Sequence, residues 1–174
     1  MAEPLKDPWI QLVALTTTVL AVLAAISSLR ATSYSTKVQI ATTKEANHWA
    51  YYQAKSIKEH SYRLNRDILS SVGLLGTKNP KAQKFLAARI HEYEAEIGRY
   101  DKEKNQIKKE AEDIIKEQVI FKQKNGDFGL AVMLLQIAIM CSAVGALIRK
   151  KLLWLVGLIM GGWGGFYLVK GFLL

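Results

Sequence analysis

Stepping by four and three residues from Leu86 meets Ile90, Tyr93, Ile97, Tyr100, Lys104, Ile107, Ala111, Ile114, Gln118 and Phe121. Only Lys104 and Gln118 interrupt the apolar series, and charged or polar residues fill most positions between. A repeat of about 3.5 residues keeps one narrow stripe of an α-helix turned to a partner along its whole length, as in a coiled coil. No proline breaks the stretch, and it runs almost directly into an uncharged run at 128–148. The pattern predicts a coiled-coil helix standing on a membrane helix.

The partner helix is expected upstream. Residues 30–72 contain neither proline nor glycine, although Thr32, Ser33, Ser35, Thr42 and Thr43 weaken helix propensity there. Ala50, Ala54, Ile57, Ser61, Leu64 and Ile68 form a thinner apolar seam at heptad-like spacing. Small residues in it would let the bulkier tyrosine and isoleucine stripe approach closely. Gly73, Gly76, Thr77, Lys78, Asn79 and Pro80 supply a turn, with Asn79 as N-cap and Pro80 as the first helical residue. Two helices of similar length joined by a short turn predict an antiparallel hairpin. Glu112 and Lys116, four apart, are expected to pair on its solvated face.

Residues 9–29 carry no charge and are long enough to cross about 30 Å of hydrocarbon. Asp7 and Pro8 make a good helix start, and the flanks resemble a cleaved leader only loosely, so a retained span is expected. Thr17, Ala21 and Ala25 offer a small-residue face for close helix approach. The runs 128–148 and 152–174 are joined only by Arg149, Lys150 and Lys151, which predicts two antiparallel spans. Gly157, Gly161 and Gly165 set two overlapping GxxxG steps, stripping one face to backbone for helix contact. Trp9, Trp154 and Tyr167 fall near span ends, as interfacial anchors do. The expected fold is therefore an all-α membrane protein. It has a short tail at 1–8, spans at 9–29, 128–148 and 152–174, and a hairpin at 30–127 turning near 73–80, with a basic loop at 149–151.

Lys and Arg outnumber Asp and Glu by 24 to 15, but the two signs are mixed through the middle of the chain. That argues against a nucleic-acid-binding basic block. The single cysteine, Cys141, excludes an intrachain disulfide. The short basic loop and Lys6 favour a cytoplasmic N-terminus and an external hairpin, while Arg30, Lys37, Lys44, Lys122 and Lys124 pull the other way.

Chemistry is sparse. Glu45 and His48 have the three-residue spacing of half a carboxylate-bridged di-iron site, but no second such motif exists, and two polar side chains facing solvent are the plainer reading. His48, His60 and His91 suggest no nucleophile-plus-base arrangement, and every glycine cluster lies at the turn or in a span. No catalytic residue, cofactor or metal is expected. Trp49, Tyr51, Tyr52 and Tyr62 crowd the first hairpin helix, and a two-helix hairpin is too thin to bury every face of it. Gln136 within the second span could pack against a helix or face a pore.

The stretch 48–58, His-Trp-Ala-Tyr-Tyr-Gln-Ala-Lys-Ser-Ile-Lys, preceded by Leu-Ala-Val-Leu-Ala-Ala-Ile-Ser-Ser-Leu at 20–29, resembles a bacterial membrane family described only as domain of unknown function 4337. The resemblance covers nearly the whole chain, including the basic loop. It departs at the N-terminus, where the family pattern carries a longer acidic, histidine-containing extension. It implies a bacterial inner-membrane protein and brings no activity, cofactor or catalytic residue. The expected role is a homo-oligomeric membrane scaffold or assembly protein in contact with the lipid bilayer. Its interface residues would be Trp49, Tyr52, Tyr93, Ile97 and Tyr100 in the hairpin and Gly157, Gly161 and Gly165 in the last span. The alternatives are a channel or transport accessory, with several copies surrounding a pore, and, third, a metal-dependent enzyme; an unidentified membrane protein is a further candidate partner.

Overall fold

Nothing in residues 30–72 interrupts intrahelical hydrogen bonding, and one helix takes up the whole stretch. In the computed structural model, which describes residues 8–76 and 79–173, three helices follow one another: α1 (Pro8–Leu74), α2 (Pro80–Leu147) and α3 (Lys151–Leu173). No strand occurs among the described residues. Each helix contains a stretch long and apolar enough to cross a membrane. Glu3, Lys6 and Asp7 of the expected tail and cap, Thr77 and Lys78 of the turn, and Leu174 lie outside the described residues.

The helix ends follow local chemistry. After α1, Gly76 takes a positive φ of 85°, which costs a residue without a β-carbon little. Asn79 caps α2, its Oδ1 accepting a hydrogen bond from the Lys81 N–H at 3.0 Å, with Pro80 first in the helix. Between α2 and α3 the Lys150 N–H donates to the Gly145 carbonyl at 3.0 Å and the Arg149 N–H to Ala146 at 3.3 Å. This is a Schellman ending, with Arg149 at φ 56° in the left-handed place that glycine usually fills.

Contacts divide the chain into two compact units. One comprises the chain up to Ile40 and from Gln118 onward, and the other is Ala41–Glu117. In the Ala41–Glu117 unit, α1 and α2 pair antiparallel as a hairpin. Ile97, Tyr100, Ile107 and Ala111 of the α2 stripe are buried, and Leu86, Ile90, Tyr93, Lys104 and Ile114 are half-buried. The facing side of α1 differs from expectation. Ala50, Ala54, Ile57, Ser61, Leu64 and Ile68 are all exposed, on the far side of the helix. Ala41 and Glu59 are buried instead, and Glu45, His48, Tyr52, Lys55, Tyr62, Arg66 and Leu69 are half-buried at the same spacing. The reason lies in α2. A cation in its stripe needs a carboxylate opposite, and its tyrosines need rings to pack on, so α1 turns its polar and aromatic side inward.

In the other unit, α3 runs back along α2 in constant register. Positions where a β-carbon would collide mark the contact: Gly157 meets Ser142 and Ala138, Gly161 meets Leu20 and Ala138, Gly164 meets Leu135, and Gly171 meets Phe128. Leu20 and Ala24 of α1 cluster with Leu135 and Ala138, while Phe128, Ala131 and Leu168 pack with Leu23, Ala31, Tyr34 and Tyr167. The small residues that α1 buries are Ala24 and Ser27, not the expected Thr17, Ala21 and Ala25 face; Ala21 and Ala25 are exposed. Trp154, read as an interfacial anchor, also ties α3 to α1 by donating from Nε1 to Thr16 Oγ1 at 3.2 Å.

Candidate interaction surfaces

Inside the hairpin, charge and aromatic contacts alternate along the paired helices. Glu59, buried to 4 % exposure, pairs with Lys104 of α2 and accepts a hydrogen bond from Arg63 Nε at 2.7 Å. Hydrogen bonding from Lys104 holds the Glu59 carboxyl below the usual carboxylate range; burial opposes this and Arg63 adds to it. Lys55 Nζ lies 2.6 Å from Glu103 Oε2, and that contact likewise lowers the Glu103 carboxyl. Nearer the turn than these pairs, the Tyr62 ring stacks on Tyr100 at 5.7 Å and meets Tyr93 edge-on at 5.5 Å. His48 Nδ1 sits 3.5 Å from Glu110 Oε2, so His48 serves an interhelical contact. Among the described residues no group of three or more His, Cys, Asp or Glu is placed to hold a metal.

The residues singled out in the sequence divide into two sets. Ile97 and Tyr100 are consumed within the hairpin, and Tyr93 is half-buried against Tyr62. Trp49 and Tyr52 touch edge-on at 5.7 Å, half-buried beside the inward stripe, with Lys104 over the Tyr52 ring at 5.7 Å. Gly157 and Gly161 are buried within the chain, but the next packed glycine is Gly164, and a β-carbon on Gly165 would meet open space. Glu112 and Lys116 do not form the expected pair as a direct bond, since Lys116 Nζ reaches Asp113 Oδ1 at 2.8 Å. Gln136 is exposed on the apolar part of α2.

Sequence reasoning missed Glu59, Ser27, Ser142, Gly164 and Gly171. A signal existed for three of these. Lys104, standing in an apolar stripe, asks for a carboxylate opposite, and Gly157, Gly161, Gly164, Leu168 and Gly171 repeat the four-and-three stepping already seen in α2.

What remains uncovered is the outer side of α1. Ile57, Leu64 and Ile68 are 67, 54 and 52 % exposed, in line with Ala50, Ala54 and Ser61, and the exposed Tyr51 flanks them. No charged residue stands in this seam, although α1 carries eight charged side chains between Ala41 and Leu74. The outer side of α2 in this unit is the opposite, with Lys102, Asn105, Lys109, Glu112 and Lys116 exposed.

A family model described as "Domain of unknown function (DUF4337)" matches residues 9–174. The chain belongs to the DUF4337 family. No curated protein and no solved structure matches it. For this DUF4337 chain the functional reading therefore rests on its surfaces: a charged and aromatic hairpin interior, a glycine-lined helix contact and an uncharged, exposed seam on α1.

Proposed function

We propose that this chain is a homo-oligomeric membrane scaffold of the bacterial inner membrane. Its apolar helices anchor it in the bilayer, and hairpins of neighbouring copies associate along the outer seam of α1. The observation that supports this reading is the exposure of Ala50, Ala54, Ile57, Ser61, Leu64 and Ile68 at coiled-coil spacing on a water-side helix. The seam has the apolar d-type positions of a helix pair and no charge within it. The charged outer side of α2 makes a poor partner, so a second α1 fits better. Copies rooted in one membrane with the same orientation would bring their α1 helices together in parallel. Since Ile97, Tyr93 and Tyr100 serve the intrachain contact, the assembly uses α1, with Tyr51 at the seam edge. The hairpin is placed outside the cytoplasm, following the short basic loop.

The test is the mass of the full chain in detergent, by mass photometry or sedimentation. The expected result is more than one copy per particle, reduced to one by Ile57→Glu with Leu64→Glu while helicity is retained. A wild-type chain that is monomeric across micromolar concentrations would end the scaffold reading. A channel or transport accessory is the second reading, supported by the outward amide of Gln136 in an apolar stretch. Ion flux into liposomes that disappears in Gln136→Leu would favour it.

A further inference from the structure

The positive charge of this chain is unevenly placed. In the unit formed by the chain up to Ile40 and from Gln118 onward, Asp127 is the one carboxylate among the described residues. Against it stand Arg30, Lys37, Lys122, Lys124, Arg149, Lys150, Lys151 and Lys170. Three of these cations are held on a continuous set of aromatic rings, and a fourth lies over the Tyr167 ring. The Tyr34 ring stacks on Phe128 at 5.7 Å with 8° between planes and lies 6.2 Å from Phe121. Lys37 Nζ and Lys124 Nζ both sit over it, 5.0 and 5.7 Å from its centroid. Phe172 meets Phe128 edge-on at 5.3 Å, and the Arg30 guanidinium lies 5.1 Å from the Phe172 centroid. Lys170 Nζ is 5.6 Å from the Tyr167 centroid and 3.0 Å from Asp127 Oδ1.

Ring faces orient these cations but carry no net charge, so they do not neutralise them. Asp127 answers Lys170, and among the described residues no other carboxylate of this unit stands against Arg30, Lys37 and Lys124. An open apolar groove of about 520 Å³ is lined by Phe166, Val169 and Leu173, with Lys170 at its edge. Trp163, Phe166 and Tyr167 line a second groove farther back along α3. Apolar grooves along α3 with a lysine at the edge of one, in a unit whose described cations outnumber its one described carboxylate, match an amphiphile with a negative head and an apolar tail.

We propose that this end of the unit binds an anionic phospholipid. The phosphate is held by Arg30, Lys37 and Lys124 with Lys170 at the rim, and an acyl chain lies along α3 between Trp163 and Leu173. The proposal rests on the bilayer reading above, but not on the copy number.

The test uses the full chain in a neutral detergent, incubated with phosphatidylglycerol or phosphatidylcholine, with retained lipid counted by native mass spectrometry. Phosphatidylglycerol is expected to be held at least about tenfold more tightly, since each cation near an anionic headgroup is worth roughly fivefold. Arg30→Gln with Lys37→Gln and Lys124→Gln should bring its retention down to that of phosphatidylcholine, while Lys37→Arg with Lys124→Arg should keep it. In case the triple variant does not fold, the wild-type preference is also measured against salt, which should weaken it. Equal retention of the two lipids, or a preference untouched by both salt and the triple variant, would overturn the site while leaving the membrane reading standing. A chain that stays dispersed in water without detergent would overturn both.

Discussion

Gly157 faces Ser142 so closely that a β-carbon on the glycine would come within 2.5 Å of Ser142 Oγ and 2.8 Å of the Ala138 carbonyl oxygen. The hydroxyl cannot swing away freely, because it donates to that same Ala138 carbonyl at 2.8 Å. Gly157→Ala should therefore push α3 off α2 and cost about 1–3 kcal/mol. Gly165→Ala, which meets nothing within 4 Å, should leave stability nearly unchanged. Thermal unfolding of the two variants in detergent separates them, and equal midpoints would deny the close approach.

The Glu59 and Lys104 pair sits inside the hairpin, with side chains of 6 and 14 % exposure. Removing either partner alone leaves a poorly hydrated charge, so Glu59→Leu or Lys104→Leu is expected to destabilise by about 3 kcal/mol. The double replacement should recover most of that loss, because two apolar side chains can pack where two charges had to be desolvated. A double-mutant cycle on the unfolding midpoint measures the coupling, and additive single effects would show that the two residues act independently.

Acid should weaken the hairpin in a defined window. The folded Glu59 carboxyl titrates below the unfolded value of about 4.3, with Lys104 as the main cause. Its stabilising contribution is thus complete above the unfolded value and is lost as pH falls through the folded one. Glu103, lowered by Lys55, acts in the same direction. The unfolding midpoint, followed by helical circular dichroism, should be flat above about pH 5.5 and decline below about 4.5. Glu59→Gln should start lower and decline less, and a midpoint that rises on acidification would contradict the ion-pair account.

A parallel pairing of α1 seams places each seam residue next to its own copy. In a Cys141→Ser background, Ala54→Cys should form a disulfide-linked dimer under mild oxidation, whereas Lys109→Cys on the outer side of α2 should not. Both positions are exposed, so reactivity is matched and only proximity differs. Efficient crosslinking at Lys109 with none at Ala54 would move the contact to α2.

Much of this architecture could be read without coordinates, because the decisive rules are local. Backbone hydrogen bonds within a helix depend on a few neighbouring residues. The absence of proline and glycine in 30–72, the Asn79 cap with Pro80 and the uncharged runs were thus enough to locate three helices and the hairpin turn. The four-and-three stepping from Leu86 also named the buried side of α2, since helix geometry alone decides which residues share a face.

The facing side of α1 was different. Two stripes at the same spacing competed for the interior, and the more apolar one, through Ile57, Leu64 and Ile68, ended outside. That choice belongs to the pair of helices and not to either alone: Lys104 required Glu59, and Tyr93 and Tyr100 required Tyr62. The same holds for Gly164 in place of Gly165, where α2 and α1 together decide which side of α3 is covered. Periodicity within one helix determined what could be buried; the charges and rings on its neighbour, meeting it at a distance in the chain, decided what was.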